Sequence, residues 1–386
     1  MKKKVLFAVP TLDALGVQHD ILTLLNNWKE VDWEVKLLLN SRTGDFADQF
    51  PDTIKSIEVD KFILNIPKLR VLERLLYGYF RAISSYKPDV IVSFVPFSNY
   101  SCFITKKIYN LKFSLVVSEH AHVTAAMNDT QNMDNLFMKI YRRTFKSVYN
   151  NSAVNIVKCI SIESMNDLLN NHNIRKEKTV LIHNPIPIND IIKKGQEDVI
   201  LPENFNEKDL FLIINSGRLT LQKRQDILIK VFSNVHKLFP NTRLIILGKG
   251  DQSELMELAK QLNISNYIHF AGFQSNPWKW VSKAKLFVLT SCWEGLPCVI
   301  SETMALNVPI VSTDCPSGPK EMLLDGELGT LAITNDINDI TNKVIYAIEN
   351  YSQIVIKAEA AVLKLDRYDP VKVTDQYFNL VKSLAN

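Results

Sequence analysis

The 386-residue sequence predicts an α/β protein of two doubly wound parallel-sheet domains, and three observations carry that prediction. Short runs of Val, Ile, Leu and Phe alternate with helical-period segments from end to end. The runs are nearly continuous in apolar character rather than alternating, as in strands covered on both faces. They fall into two successive series, separated by a stretch rich in Pro, Asn and charge.

In the first series the predicted strands are "KVLFAVP", "WEVKLLLN", "DVIVSFVP", "FSLVVSE", "VNIVKCIS" and "TVLIHNP". In the second they are "LFLIINSG", "RLIILGKG", "YIHFAGF", "AKLFVLTS", "PIVSTD" and "GTLAI". The break falls in "HNPIPINDIIKKGQEDVILPENFNEKD" (183–209), giving domains at 1–183 and 184–364. A final helix, 365–386, is expected to pack back on the first domain. The length suits two cores better than one. Ligands of open α/β sheets bind beyond the carboxyl ends of the strands, so the expected site is the cleft between the two domains.

Composition excludes several classes. Hydrophobic content of 46% with 22% charge is that of a folded globular chain, neither disordered nor membrane-spanning. The opening "MKKKVLFAVPTLD" has too short an apolar run for a leader and reads as a first strand. Five cysteines without a C-x-x-C suit reduced thiols in the cytoplasm rather than disulfides or zinc. Residues 61–112 carry nine basic residues against two acidic ones, interleaved with aliphatic and aromatic residues. That stretch is either an amphipathic helix with a solvated basic face or a surface for anionic lipid or a phosphate-bearing acceptor. With no recognised binding module, nucleic acid is not expected as a partner.

The chemistry concentrates in "LTSCWEGLPCVISETMALNVPIVSTDCPSGPKEM" (289–322). A buried strand leads into the loop "CWEG", and Pro297 occupies the expected first position of a helix. The amides of Gly295 and Leu296, with the helix N-terminus, make an anion site that glycine lets a phosphate approach closely. Glu294 lies on the loop and Glu302 five residues into the helix, so one acid can hold a hexose and the other a ribose. The bare pair of glutamates is weak as a signal; the strand–loop–Gly-Leu-Pro–helix context carries the specificity. A second element, "INSGRLTLQKRQD" (214–226), supplies Arg218 and Lys223 just after a strand. A fork and a point charge suit a diphosphate bearing roughly two to three charges.

Taken together, "VLIHNPIPIND", "SGRLTLQKRQDILIKVF", "LIILGKGDQSELMELAKQLNISNYIHFAGF" and the 289–322 stretch resemble the retaining glycosyltransferases of family 4. The resemblance implies the GT-B fold, two facing Rossmann-like domains. It implies donor-sugar contact by Glu294, ribose contact by Glu302 and diphosphate binding by Arg218 and Lys223. The backbone at Phe273 would border the base, and the turn at Gly248 would approach the nucleotide. "VVSEHAH" resembles the family's strand ending in a cleft-facing histidine, which makes His120 a catalytic candidate, with Glu119 and His122 as neighbours. Relatives carry Gly-Gly-Ala-Glu after the first strand, where this chain has "LDALGVQHD" and only Gly16 as a candidate for close approach.

The implied reaction uses no enzymic nucleophile, no cofactor and no metal: no Asp-x-Asp occurs, so the cations stand in for one. Its donor would be a nucleotide sugar, UDP on family frequency, carrying a hexose or N-acetylhexosamine. "TDCPSGPKE" resembles the form found in enzymes building lipid-linked surface glycans, implying such an acceptor and peripheral attachment at the inner face of the membrane. A sugar-nucleotide epimerase and a non-catalytic nucleotide-sugar binder are the alternatives. A dinucleotide-dependent oxidoreductase is disfavoured because "LGKGDQS" lacks the third glycine and sits in the wrong half.

Overall fold

A computed structural model describes every residue except 1, 14–15, 30–31, 45–46, 51–52, 65–68, 130–135, 206–208 and 386. The chain divides into two compact units, Met1–Pro185 with Pro370–Asn386, and Ile186–Asp369.

The first unit contains seven parallel strands: β1 (Lys3–Ala8), β2 (Trp33–Leu39), β3 (Ser56–Glu58), β4 (Val90–Phe94), β5 (Ser114–Glu119), β6 (Ile156–Cys159) and β7 (Thr179–Leu181). Their order is β3-β2-β1-β4-β5-β6-β7. Six coincide with the predicted runs. β3 does not, because three half-buried residues at a sheet edge leave no apolar run to read. Side chains alternate between two cores, one on each face. Leu6, Ile91, Leu115 and Val157 enter one, and Val5, Phe7, Val92 and Val116 the other. The C-terminal helix Pro370–Leu384 belongs to this second core, through Val373, Tyr377 and Val381.

The second unit contains six parallel strands: β8 (Phe211–Ser216), β9 (Thr242–Leu247), β10 (Ile268–Gly272), β11 (Leu286–Leu289), β12 (Ile310–Thr313) and β13 (Thr330–Ala332), ordered β10-β9-β8-β11-β12-β13. Chain order reverses between β8 and β11 here, and between β1 and β4 in the first unit. Such reversals splay the flanking loops apart and open a binding crevice at the carboxyl ends.

The basic stretch folds as a helical turn Arg70–Glu73, a π-turn Arg74–Gly78 and a helix Tyr79–Tyr86. Gly78 sits against Val59 and Ile63, where a Cβ would lie 2.6 Å from Val59 Cγ1. The π-turn divides the apolar residues into two sets: Tyr79, Ala82, Ile83 and Tyr86 are buried, while Leu69, Val71, Leu72, Leu76 and Tyr77 are exposed. Ile66, part of the same expected apolar face, lies outside the described residues. All five cysteines are free, and among the described residues no helix is long and apolar enough to cross a membrane.

Candidate active site

In the second unit the loops leaving β8 and β11, adjacent strands on either side of the order reversal, are tied together. Cys292 N donates to Gln222 O at 2.8 Å, Gln222 Nε2 to Trp293 O at 2.9 Å and Thr290 Oγ1 to Lys223 O at 3.0 Å. The consequence is a contact that sequence reasoning missed. Lys223 Nζ donates to Glu294 Oε1 at 2.6 Å, and Ser291 Oγ donates to the same oxygen at 2.6 Å. Glu294 is only 5% exposed, so its carboxylate depends on these partners. The lysine stem runs over Gly217, with Cε 3.5 Å from where a Cβ would stand.

The loop 294–297 is braced from behind by the chain after β12. Glu294 N donates to Pro316 O at 2.6 Å and Ser317 Oγ to Gly295 O at 2.7 Å. Gly318, at φ +100°, lies so close that a Cβ would meet Pro297 Cδ at 2.6 Å. Pro297 is not the first helical residue, as expected from the sequence, but the N-cap: its ψ of 99° is extended and the helix runs Cys298–Ala305. Gly295 and Leu296 are buried, and their amides make no hydrogen bond among the described residues. Two unbonded donors thus directly follow Glu294, the residue that Lys223 holds.

Arg218 is exposed, and its guanidinium makes no hydrogen bond or ion pair among the described residues; its carbonyl is fixed by Gln225 Nε2 at 3.0 Å. Lys223 and Glu294 are thus brought together, while the Arg218 side chain stays outside that pair. Glu302 is half-buried; burial pushes its carboxyl above the ordinary range, and the indole of Trp278 beside it acts the other way. Gly248, at φ +155°, would put a Cβ 1.8 Å from Gly217 O, so only glycine lets this turn approach the β8 loop. Phe273 follows Gly272, itself at φ +66°, and is exposed.

In the first unit Gly16 is the exposed first residue of the helix Gly16–Asn26. Close approach in the β1 loop falls instead to Gly44, which the sequence reading passed over. At φ +125°, a Cβ there would meet Leu12 C at 2.3 Å. The available signal was its position, a few residues after β2, matching Gly248 after β9.

His120 immediately follows β5. Its Nε2 lies 2.8 Å from Ser118 Oγ, its ring centroid 5.5 Å from that of Phe94, and its Nδ1 3.9 Å from Asp20 Oδ2. Burial, and secondarily the charge of Lys158, hold its pKa well below the ordinary histidine value, so the imidazole is neutral. Glu119 takes hydrogen bonds from Tyr149 Oη and from Asn99 Nδ2, the latter at 3.0 Å. Burial pushes its carboxyl up to about 7 against those donors. His122 caps the helix Val123–Asn128 by accepting from Ala125 N at 3.3 Å, a structural task.

Two doubly wound parallel-sheet units, of seven and six strands, are the architecture of the GT-B class. The family model for glycosyl transferases group 1 matches residues 196–361, and that for glycosyltransferase family 4 matches 15–190; the chain belongs to this family of glycosyltransferases. An uncharacterised glycosyltransferase of Methanocaldococcus jannaschii is 32% identical over 262 residues, covering 66% of this chain and 62% of that protein. An α-1,4-N-acetyl-D-galactosaminyltransferase of Campylobacter jejuni, named for an undecaprenol-diphosphate-linked glycan, is 23% identical over 99% of both chains. Among solved structures, HepE of Anabaena in complex with UDP-glucose superposes with a TM-score of 0.79 at 19% identity, covering 98% of this chain and 99% of that one. A glycosyltransferase of Rickettsia africae gives 0.77 at 18% identity, covering 99% and 98%. The chain spans 62% and 55% of the length of the first two curated relatives it matches, the second being a further Campylobacter jejuni N-acetylgalactosaminyltransferase.

Proposed function

We propose that this chain is a retaining, metal-independent glycosyltransferase. It moves a hexose or N-acetylhexosamine from a UDP-sugar to a sugar hydroxyl of a lipid-linked glycan. The observation that carries the reading is the Lys223–Glu294 pair beside the unbonded amides of Gly295 and Leu296. The UDP-glucose bound by HepE and the undecaprenol-linked substrate in the name of the Campylobacter jejuni relative support the choice of donor and acceptor.

In this reading residues 184–364 hold the donor and 1–183 the acceptor, with the last helix, 365–386, serving the latter. Arg218, Lys223 and the two amides bind the diphosphate. Glu294 takes the sugar hydroxyls, Glu302 those of the ribose, and Phe273 and Gly248 border the nucleotide. The bond from anomeric carbon to diphosphate oxygen breaks, and its electron pair leaves on UDP. The acceptor oxygen bonds to that carbon from the same face and passes its proton to the departing oxygen. The cations stabilise charge as it grows on the leaving group, which is where electrostatic catalysis is most effective. His120, neutral, hydrogen-bonds at the acceptor side, with Gly16 opening the adjoining helix.

The test is turnover of purified protein with UDP-sugars, with and without a lipid-linked glycan, in EDTA. Acceptor-dependent release of UDP with an α-linked product supports the reading. Conversion of the donor to an isomer without acceptor marks an epimerase instead, and binding without turnover marks a sensor. Activity abolished by EDTA and restored by manganese refutes the metal-independent step.

We also propose that the 61–112 surface attaches the protein to the inner face of an anionic membrane carrying the acceptor. The support is mainly apolar: Leu69, Leu72 and Tyr77 are each close to half exposed. The charge contribution is smaller than composition suggests, since Arg70 and Arg74 both pair with Asp60, at 2.5 and 2.6 Å, and Lys61 pairs with Glu58 at 2.9 Å. Co-sedimentation with anionic liposomes that weakens but persists at 1 M salt is expected. Absence of binding to any liposome removes this attachment.

A further inference from the structure

The second core of the first unit encloses a polar chain that ends on His120 and begins at a residue the reaction above does not use. Lys158, on β6, is 0% exposed. Its Nζ donates to Asn184 Oδ1 at 3.4 Å and lies 5.2 Å from the centre of the Tyr377 ring. Tyr377, on the C-terminal helix, sits beside Ser118. Ser118 is also the register partner of Lys158 across the β5–β6 pair, and its hydroxyl is 2.8 Å from His120 Nε2. A buried lysine, a tyrosine, a serine and a histidine therefore form one connected set drawn from β5, β6, the residue after β5 and the C-terminal helix.

We propose that Lys158 is a positioning residue for His120: through Ser118 and Tyr377 it fixes the imidazole and keeps it uncharged, so that it meets the acceptor hydroxyl as a neutral hydrogen-bonding group. This rests on the reading of His120 as an acceptor-side residue.

The groups facing the imidazole oppose one another. Asp20, on the helix Gly16–Asn26, is 3.9 Å from Nδ1 and favours the imidazolium. Lys158 from β6 and burial disfavour it, while Tyr377 from the C-terminal helix and Phe94 from β4 contribute uncharged rings. Glu119 is committed to Asn99 and Tyr149. Nδ1 has no hydrogen-bond partner among the described residues, although the side chain is only 8% exposed. Without the lysine, the aspartate 3.9 Å from Nδ1 would act on the imidazole unopposed by that charge, and a proton on Nδ1 would form an ion pair with it. An imidazolium so paired could not accept a hydrogen bond from an incoming hydroxyl.

The experiment is an NMR titration of histidine-labelled protein, with His120 assigned through His120→Asn, in the parent, Lys158→Met and Asn184→Asp. Lys158→Met removes the charge at similar volume; Asn184→Asp leaves the lysine in place but sets a carboxylate against it. Both should raise the His120 titration midpoint. In both, kcat should fall at acidic pH and recover at alkaline pH, with the KM for the donor unchanged. If Lys158→Met does not fold, Asn184→Asp decides. A midpoint unmoved by the variants makes Lys158 a merely structural lysine and overturns the proposal. So does full kcat in His120→Asn. The titration needs no substrate, so failure of the coupling is distinguishable from failure of the glycosyltransfer reading.

Discussion

The two units share a plan and differ in what they do with charge. Each lays its strands in the order third, second, first, fourth, fifth, sixth, the first unit adding a seventh. Each also presses a left-handed glycine from the loop after its second strand onto the loop after its first: Gly44 on Leu12 and Asp13, Gly248 on Gly217. Beyond that they diverge. The second unit presents Arg218 with no side-chain partner among the described residues, and a lysine whose glutamate is fixed only 2.6 Å away. The first unit instead drives two groups at the end of β5 toward the uncharged state: His120 below its ordinary range, Glu119 up to about 7. Cationic strand ends suit an anionic diphosphate, and neutral ones suit a hydroxyl; one architecture supplies either by choice of a few side chains.

The sharpest way to break this contrast is at the second unit. Lys223→Ala and Arg218→Ala should each lower kcat/KM by roughly a hundredfold or more. Their stabilities should differ. Lys223→Ala strips Glu294 of its buried cation and should cost about 3–5 kcal/mol, whereas Arg218→Ala, at an exposed site, should leave chemical unfolding unchanged. Near-normal activity in Arg218→Ala would remove the donor-site assignment.

Next in size is the shared glycine contact. Gly44→Ala and Gly248→Ala should each lose at least about 2 kcal/mol, because a left-handed backbone is combined with overlap on a neighbouring loop. Gly326→Ala is the control: its φ is +96° but nothing lies within 4 Å of the added Cβ, so it should lose only about 1 kcal/mol. Equal losses at all three sites would mean that the loop contacts contribute nothing.

The most gradual effect, spread over some two pH units, is the pH dependence of the first unit. Glu119 rises from 4.5 in the unfolded chain to about 7 when folded. Between those values the folded state binds more protons, so stability falls as pH rises through the window, by roughly 3 kcal/mol at most. Glu119→Gln should flatten that fall in denaturant titrations between pH 5 and pH 7.5. A parent and variant with parallel profiles would show that Glu119 is ionised throughout.

Much of this is legible in the sequence itself. Twelve of the thirteen strands follow from apolar runs, because a strand covered on both faces must be apolar along its length. The 289–322 stretch announced its loop and helix through Gly-Leu-Pro, and Arg218 and Lys223 through their position after β8. What could not be read was pairing. Nothing local in the sequence says that Lys223 reaches Glu294, 71 residues later. Gly44 was overlooked because its reason for being glycine is a loop some thirty residues earlier in the chain. The nine basic residues of 61–112 suggested a strongly charged surface, yet three of them, Lys61, Arg70 and Arg74, are paired with Glu58 and Asp60, just outside that stretch.

By itself, then, the sequence determined the α/β class, the two strand series and the chemical types gathered at the second unit's strand ends. These depend on periodicity and on neighbours within a few residues, which sequence records directly. Tertiary structure alone decided which groups carry charge. In the sequence Lys158 is only a lysine within the apolar run "VNIVKCIS"; its surroundings are set when β6 packs beneath the C-terminal helix and Tyr377, some 220 residues away, closes over it. A side chain's protonation is set by the dielectric and the charges within a few ångströms of it. Those neighbours are assembled from distant parts of the chain.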